Sequence, residues 1–166
     1  MFWRLLITGL FFLSMSVFQT SLLAQEIDYL DNRSSPQLLI ASYFNALNKH
    51  DYARAWLYWD NEMEGSNFED FVEGYTGVEA IEFKIGPARS EGAAGSIFTQ
   101  IPLAVMTLDE DGWEEIYQGC FLTRIATPNI QSPPYLGLHF WEGYLTPVEG
   151  DFKNTQPGEC SFLTHK

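Results

Sequence analysis

The chain has 166 residues and a formal net charge of −13, and aromatic residues make up 16% of it. An aromatic content this high supports a packed core and argues against intrinsic disorder, even in so acidic a chain. The charge disfavours nucleic acids and anionic membrane surfaces as partners, because both carry negative charge that the chain would repel.

Residues 1–24 have the pattern of a secretory signal peptide. Arg4 precedes a largely apolar run from Leu5 to Phe18, and Ala24 supplies the small residue of a cleavage site. The apolar run is about 14 residues long, which is short of the roughly 20 that span a bilayer as a helix. We therefore expect export to the periplasm or the extracellular space, with no membrane span after cleavage. An uncleaved N-terminal anchor is the alternative.

The remaining roughly 140 residues fit one domain by length. Residues 25–34 are interpreted as an N-terminal linker, residues 35–146 as the domain and residues 147–166 as an irregular C-terminal tail. Because the domain is long enough to bury most of its apolar surface, we expect it to fold around a core of its own.

Two adjacent helices are predicted at the start of the domain. Ser35 is a candidate N-cap and Pro36 suits the first helical position. After a break at Lys49 and His50, Asp51 is placed to cap a second helix rich in aromatic residues. The first helix carries an apolar stripe at helical spacing, formed by Leu39, Ile40, Tyr43, Phe44, Ala46 and Leu47.

A third helix is predicted from a capping box between Ser66 and Glu69 to Gly77, and strands follow. From Val78 to Ile85 the apolar period changes to two, which is typical of a strand with one covered face. Further strands are predicted at about residues 97–108, 113–125 and 138–145.

Two turns in the sheet region are suggested by composition. Asp109 to Gly112 predicts a hairpin, but a two-residue turn at Asp111 and Gly112 and a four-residue loop put opposite faces inward, so the register stays open. The glycine-rich run from Glu91 to Ser96 could form an anion-binding loop. However, no lysine follows it, so a turn into the next strand is favoured.

The two cysteines, Cys120 and Cys160, suit a disulfide in an exported chain. Such a bond would tie the C-terminal tail to an inner strand and contribute roughly 4 kcal/mol in the chain-entropy model. Two unpaired buried thiols are the alternative. Neither cysteine has a C-x-x-C partner, so redox catalysis is not expected.

Several segments resemble exported bacterial domains of the nuclear-transport-factor-two-like (SnoaL-like) superfamily. They are Tyr43–Trp56, Phe68–Tyr75, Ile85–Pro87, Glu91–Ser96 and Tyr117–Arg124. The resemblance implies an α+β fold in which three N-terminal helices pack on a curved antiparallel sheet, as a cone with a central pocket. It also implies that two copies of the chain could pair through the outer face of the sheet. It implies a cavity but no particular reaction.

Seven aromatic residues are expected to line this pocket. Aromatic stripes at helical spacing usually belong to the core, but the wall of a cone is also a wall of its core. The tyrosines among these residues could donate hydrogen bonds to a bound molecule. The seven are Tyr43, Trp56, Trp59, Phe71, Tyr75, Phe83 and Tyr117.

No combination of residues has the spacing of a catalytic centre. His139 and Glu142 are the candidates for acid–base chemistry, but they are three positions apart on a predicted strand and so point to opposite faces. No aspartate is evident beside His139, and a structural role is favoured for both residues. The histidines are scattered, without H-x-x-x-H or C-x-x-C spacing, so neither a metal site nor a cofactor is expected.

These features favour an exported, non-catalytic domain of the bacterial cell envelope that binds a small apolar ligand or another protein. A homodimer or an envelope protein is the expected macromolecular partner. The alternative is a cofactor-independent isomerase, dehydratase or cyclase that acts in the pocket. It requires an acid or His139 at the pocket floor, hydrogen-bonded to a tyrosine.

Overall fold

Helices come first in the chain and strands follow, in a computed structural model that describes residues 28–60 and 67–161. The predicted signal peptide and Ser66 lie outside these ranges. Within them the helices are α1 (Pro36–Asn48), α2 (Tyr52–Trp56) and α3 (Phe68–Glu73), and a short 3-10 turn covers Pro128–Ile130. The strands are β1 (Val78–Ile85), β2 (Arg89–Ala93), β3 (Ser96–Asp109), β4 (Glu114–Ala126) and β5 (His139–Val148).

The strands form one antiparallel sheet in the order β1-β3-β4-β5, and β2 pairs with the first half of β3. The helices cover one face of this sheet. The apolar stripe of α1 is fully buried there, against side chains of β1, β3, β4 and β5 such as Ile81, Leu103, Phe121 and Phe140. The predicted α+β architecture is therefore confirmed. No helix among the described residues is both long and apolar enough to cross a bilayer.

The helix pair forms as its local signals predict. The Ser35 hydroxyl accepts a hydrogen bond from the Leu38 amide at 3.2 Å, and the Asp51 carboxylate accepts one from the Arg54 amide at 3.2 Å. Asp51 also accepts a hydrogen bond from Nε of Arg54 at 2.8 Å. Between the two helices His50 takes a φ of 54°, which reverses the chain within the short break.

The third helix begins later and ends earlier than predicted. Its N-cap is Asn67, whose side chain accepts from the Asp70 amide at 2.8 Å, and the helix ends at Glu73. Residues 74–77 form turns instead of continuing the helix, and Gly77, the last of them, has a φ of 80°. A glycine at this φ lets the chain turn directly into β1.

The hairpin between β3 and β4 has a three-residue loop, which is neither of the two lengths considered from the sequence. Asp109 pairs with Trp113, and its carboxylate accepts hydrogen bonds from the amides of Asp111 and Trp113 at 2.9 and 2.8 Å. Gly112 closes the loop with a φ of 84°. This register places Val105 opposite Tyr117, and both side chains line the face beneath the helices.

Strand β2 was not predicted. It runs into β3 through a two-residue turn at Ala94 and Gly95, both with positive φ, so the glycine-rich run does form the expected turn. All five residues of β2 are exposed, so the strand lacks the apolar alternation by which a sequence reveals a strand.

Strand β5 extends three residues beyond its predicted end, to Val148, and it has a bulge between its pairing with Leu122 and with Thr123. One end of its free edge is covered by the segment after α2. Here the Phe140 amide donates to the Tyr58 carbonyl at 2.7 Å, and the Asp60 amide donates to the Phe140 carbonyl at 2.9 Å.

Gly119 of β4 lies directly against the backbone of β5. A Cβ at this position would overlap the carbonyl oxygen of Tyr144, so the two strands approach each other as closely as they do only because the residue is glycine.

Residues 149–161 form a strap across the sheet face opposite the helices. Cys160 forms a disulfide with Cys120 of β4, with Cα atoms 5.2 Å apart, which confirms the predicted pairing to an inner strand. The ammonium group of Lys84 donates to three strap carbonyls, those of Phe152, Lys153 and Thr155.

Candidate functional site: a cavity beneath the third helix

A cavity of about 630 Å³ opens between α3 and the sheet. Its size falls in the range of small-molecule pockets, roughly 300–1,000 Å³. The lining comes from α1, α3 and the turn after it, and from four strands: Phe44, Asp70, Phe71, Gly74, Tyr75, Thr76, Gly77, Val78, Ile81, Val105, Thr107, Asp109, Trp113, Glu115, Tyr117 and Leu145.

The floor of this cavity is apolar, and its carboxylates stand at the mouth. Phe44, Ile81 and Val105 are at most 5% exposed and form the floor. Trp113, at 74% exposed, and the carboxylate residues stand at the mouth. A molecule in the cavity would therefore bury an apolar body and keep any charged group near solvent.

A pair of tyrosines connects the cavity to the aromatic core. The hydroxyl groups of Tyr43 and Tyr75 are 2.6 Å apart, and Tyr75 lines the cavity. The ring of Tyr43 packs edge-on against Trp59, Phe121 and Phe140, at centroid distances of 5.9, 6.0 and 5.2 Å. The pair therefore joins one wall of the cavity to the centre of the core.

Burial, and then the neighbouring Tyr75, raise the pKa of Tyr43 well above its ordinary value. Burial also raises the pKa of Tyr75, and the hydrogen bond from Tyr43 partly offsets this. The indole N–H of Trp59 favours the ionised form of Tyr43, although it makes no hydrogen bond of acceptable geometry. Both tyrosines therefore stay protonated at neutral pH, as hydrogen-bond donors rather than bases.

Tyr117 also lines the cavity and stands at its mouth. Its hydroxyl donates to the Glu115 carboxylate at 2.6 Å, and this hydrogen bond, with partial burial, raises the pKa of Tyr117 to about 12. Glu115 is exposed. Its carboxylate therefore faces solvent and holds a tyrosine in place.

The other two carboxylates of the lining are also hydrogen-bonded within the chain. Asp70 accepts from the Asn67 amide group at 2.6 Å, and Asp109 holds the β3–β4 loop through two backbone amides. All three carboxylates of the cavity thus stabilise local structure at its rim. The part of the lining that the structure buries contains none.

The predicted pocket residues divide between the cavity and the core behind it. Phe71, Tyr75 and Tyr117 line the cavity. Tyr43 and Trp59 lie in the aromatic core. Phe83 stacks on Phe44 at 4.7 Å, and Trp56 packs on the side of Phe71, at 5.2 Å.

The sequence interpretation missed most of the floor, namely Phe44, Ile81, Val105 and Leu145. Phe44 belongs to the predicted stripe of α1 and Ile81 to the predicted alternation of β1, so both had a detectable signal. Val105 and Leu145 depend on the strand register, which only the three-residue hairpin loop fixes.

His139 has an aspartate beside it, contrary to expectation. Its Nε2 lies 3.7 Å from the Asp60 carboxylate, and both side chains are less than 10% exposed. Its Nδ1 donates to the Gly137 carbonyl at 2.7 Å. The backbone bonds between Phe140 and the segment after α2 bring the pair together, and neither residue lines the cavity. Glu142 is exposed on the same strand.

Metal-ligating side chains are not grouped in the part of the chain that the structure describes. No three His, Cys, Asp or Glu residues there are close enough together to hold an ion. The polar groups that line the cavity include the hydroxyl groups of tyrosines and threonines and the three rim carboxylates.

Comparison with known proteins identifies the fold. No protein-family model matches the sequence, and no curated protein does. Among solved structures, a candidate scytalone dehydratase from Novosphingobium aromaticivorans superposes with a TM-score of 0.50 at 5% identity, over 78% of this chain and 92% of that one.

Two further structures superpose less well. A candidate aromatic ring hydroxylase from the same species gives a TM-score of 0.49 at 11% identity, over 68% of this chain and 90% of that one. A candidate dehydratase of the NTF2-like family from Streptomyces avermitilis gives 0.46 at 12% identity, over 69% and 94%. The present chain has the fold of the nuclear-transport-factor-two-like superfamily, as shown by the order of its helices, its antiparallel sheet and its superposition on the scytalone dehydratase candidate.

Proposed function

We propose that the protein is an exported, non-catalytic domain of the bacterial cell envelope that holds a small, largely apolar molecule in the cavity beneath α3. One observation carries the proposal. The floor of the cavity is apolar, Tyr75 lines its wall with Tyr43 hydrogen-bonded behind it, and the carboxylates stand at the rim, already hydrogen-bonded. Such a site can bury a ligand but has no base at its floor.

The tyrosine pair gives the site one directional contact. The ring of Tyr43 is 1% exposed among other aromatic rings, so Tyr75 is the neighbour to which its hydroxyl proton is best donated. The hydroxyl proton of Tyr75 is then available to the cavity that it lines. A ligand with one hydrogen-bond acceptor on an apolar body fits this arrangement.

Export is supported by the disulfide. Disulfides form and persist in oxidising compartments, and the strap that carries Cys160 is held across the sheet by this bond. Together with the N-terminal sequence pattern, this favours a periplasmic or extracellular protein.

A cofactor-independent isomerase, dehydratase or cyclase is the second candidate. Two observations favour it: the superposition on the scytalone dehydratase candidate, and the buried pair of His139 and Asp60. A buried histidine next to a carboxylate can transfer protons. Against it, neither residue lines the cavity, so the pair would need a substrate at another surface.

Native mass spectrometry of protein purified from its own envelope tests the binding function. Leu145 lines the cavity, and Thr146 follows it with its side chain on the other face of β5. We expect a co-purifying small molecule with the wild type and with Thr146→Trp, and none with Leu145→Trp, whose indole would fill the cavity.

Two results would contradict this function. One is a cavity that binds nothing, either in the purified protein or in a screen of apolar compounds. The other is turnover of a bound compound that is lost in His139→Asn while binding persists, since that outcome selects the enzyme.

A further inference from the structure

A second pocket, of about 470 Å³, lies between the strap and the sheet face opposite the helices. We call it the strap pocket. It is separate from the cavity beneath α3 and shares no residue with it. Its lining is Gly86, Pro87, Arg89, Gln100, Pro102, Gln156, Pro157, Gly158, Glu159 and Cys160.

The outer wall of the strap pocket is held in place at several points. The Gln118 side chain donates to the Gln156 carbonyl at 2.6 Å, and the Gly158 amide donates to the Leu103 carbonyl at 2.9 Å. The disulfide of Cys160 fixes the end of this wall to β4. The pocket is therefore a built feature of the oxidised protein, not a gap under a loose tail.

Two hydrogen-bond donors stand side by side on the inner wall. Arg89 of β2 and Gln100 of β3 are directly opposite each other in the sheet register, so their side chains share a face. Gln100 is 5% exposed and its side-chain amide makes no hydrogen bond among the described residues, but its amide atoms are not fully buried, so they face the open pocket. Arg89 is exposed and likewise has no hydrogen bond or ion pair among the described residues.

Arg89 is exposed, and although the chain has twenty-two acidic residues against nine basic ones, no described carboxylate pairs with it. Arg33, Arg54 and Arg124 all interact with aromatic rings or with polar groups of the chain. A guanidinium group next to an amide N–H₂ offers a planar set of donors that matches a carboxylate. Both groups are open to solvent in the pocket, and a ligand carboxylate would take the place of water as their common acceptor.

The opposite wall differs in charge. Glu159 lines it and is exposed, and it forms no ion pair with Arg89 in the part of the chain that the structure describes. Pro87, Pro102 and Pro157 give the pocket rigid apolar surface. A cation on one wall and an anion on the other suit a ligand that carries both charges.

We propose that the strap pocket binds a free amino acid as its zwitterion. Its carboxylate contacts Arg89 and Gln100, its ammonium group contacts Glu159, and a small apolar side chain packs on the prolines. The site stands independently of the ligand proposed for the cavity beneath α3.

Isothermal titration calorimetry of the oxidised full mature chain tests this site. We expect L-valine to bind, and isovalerate and isobutylamine, which lack its amino group and its carboxylate respectively, to bind at least tenfold more weakly. Arg89→Gln should weaken valine binding at least tenfold, since a charged hydrogen-bond partner is lost. Lys153→Gln, an exposed strap residue with the same charge change, should leave the affinity unchanged.

Gln100→Leu provides a second variant for the same titration. In NMR spectra of the wild type, the side-chain amide resonances of Gln100 should shift when valine is added. No binding by valine or any other standard L-amino acid would overturn the proposal. So would equal affinity in Arg89→Gln and wild type, or an isovalerate affinity equal to that of valine. Thermal unfolding of Arg89→Gln should match the wild type, because the residue is exposed.

Discussion

Removing the disulfide between Cys120 and Cys160 should lower the free energy of unfolding by an amount that depends on the number of residues between the two cysteines. The two residues are 40 positions apart. In the chain-entropy model a closed loop of this length stabilises the folded state by about 4 kcal/mol, because it restricts the unfolded chain. For a domain of this size that corresponds to a loss of roughly 14 °C in melting temperature.

Cys160→Ala is the suitable variant, since it leaves Cys120, which is fully buried, in its place as a thiol. Urea unfolding should show a midpoint lower by roughly 2 M than for the oxidised wild type. Wild-type protein treated with a reductant should unfold like the variant. A difference of less than about 1 kcal/mol between oxidised and reduced protein would refute the reasoning, since the unfolded state would then not be restrained by the bond.

Three other changes test the fold and its titrating groups. Burial raises the pKa of Tyr43 well above its ordinary value and contributes most to raising that of Tyr58 to about 12. The unfolded chain loses these protons from about pH 10 and the folded chain does not, so denaturant stability should fall as pH rises from about 10 towards 12, and fall less in Tyr43→Phe. Asp51→Ala should cost about 1 kcal/mol of unfolding free energy by removing the cap of α2, while Asp51→Asn should cost less because its amide oxygen still caps. The Arg54 side chain hydrogen-bonds Asp51 and lowers its pKa, so the contribution of Asp51 to the free energy of unfolding should be present above its unfolded pKa and lost on acidification. Equal stabilities of Asp51→Ala and wild type at neutral pH would contradict this. Gly119→Ala should cost about 3 kcal/mol or more, since a Cβ would overlap the backbone of the neighbouring strand, and wild-type stability in chemical denaturation would show that β4 and β5 can separate there.

The helix pair could be predicted from the sequence because its signals are local. Ser35 and Asp51 each cap the helix that begins next to them, and one or two turns of chain are enough to recognise either. The change in apolar period at Val78 marked where helices give way to strands. These features depend on neighbours in the chain and not on the tertiary structure.

The cavity and the His139–Asp60 pair depend instead on contacts between distant segments. The side of β3 that faces the helices is set by the loop after Asp109, and one residue more or less would turn Val105 away from the cavity. Asp60 reaches His139 only because the segment after α2 bonds to the backbone of β5. No sequence pattern in either segment alone predicts such a contact.

The free edge of β5 has a consequence for the behaviour of the protein at high concentration. Tyr58 and Asp60 occupy the hydrogen-bonding groups of Phe140 at one end of this edge, and Pro147, which has no N–H to offer, lies near the other. Between them the strand is bulged and carries the charge of Glu142. An edge interrupted in these ways is a poor template for strand addition by another molecule, so this edge of the sheet is protected against growing into β-aggregates.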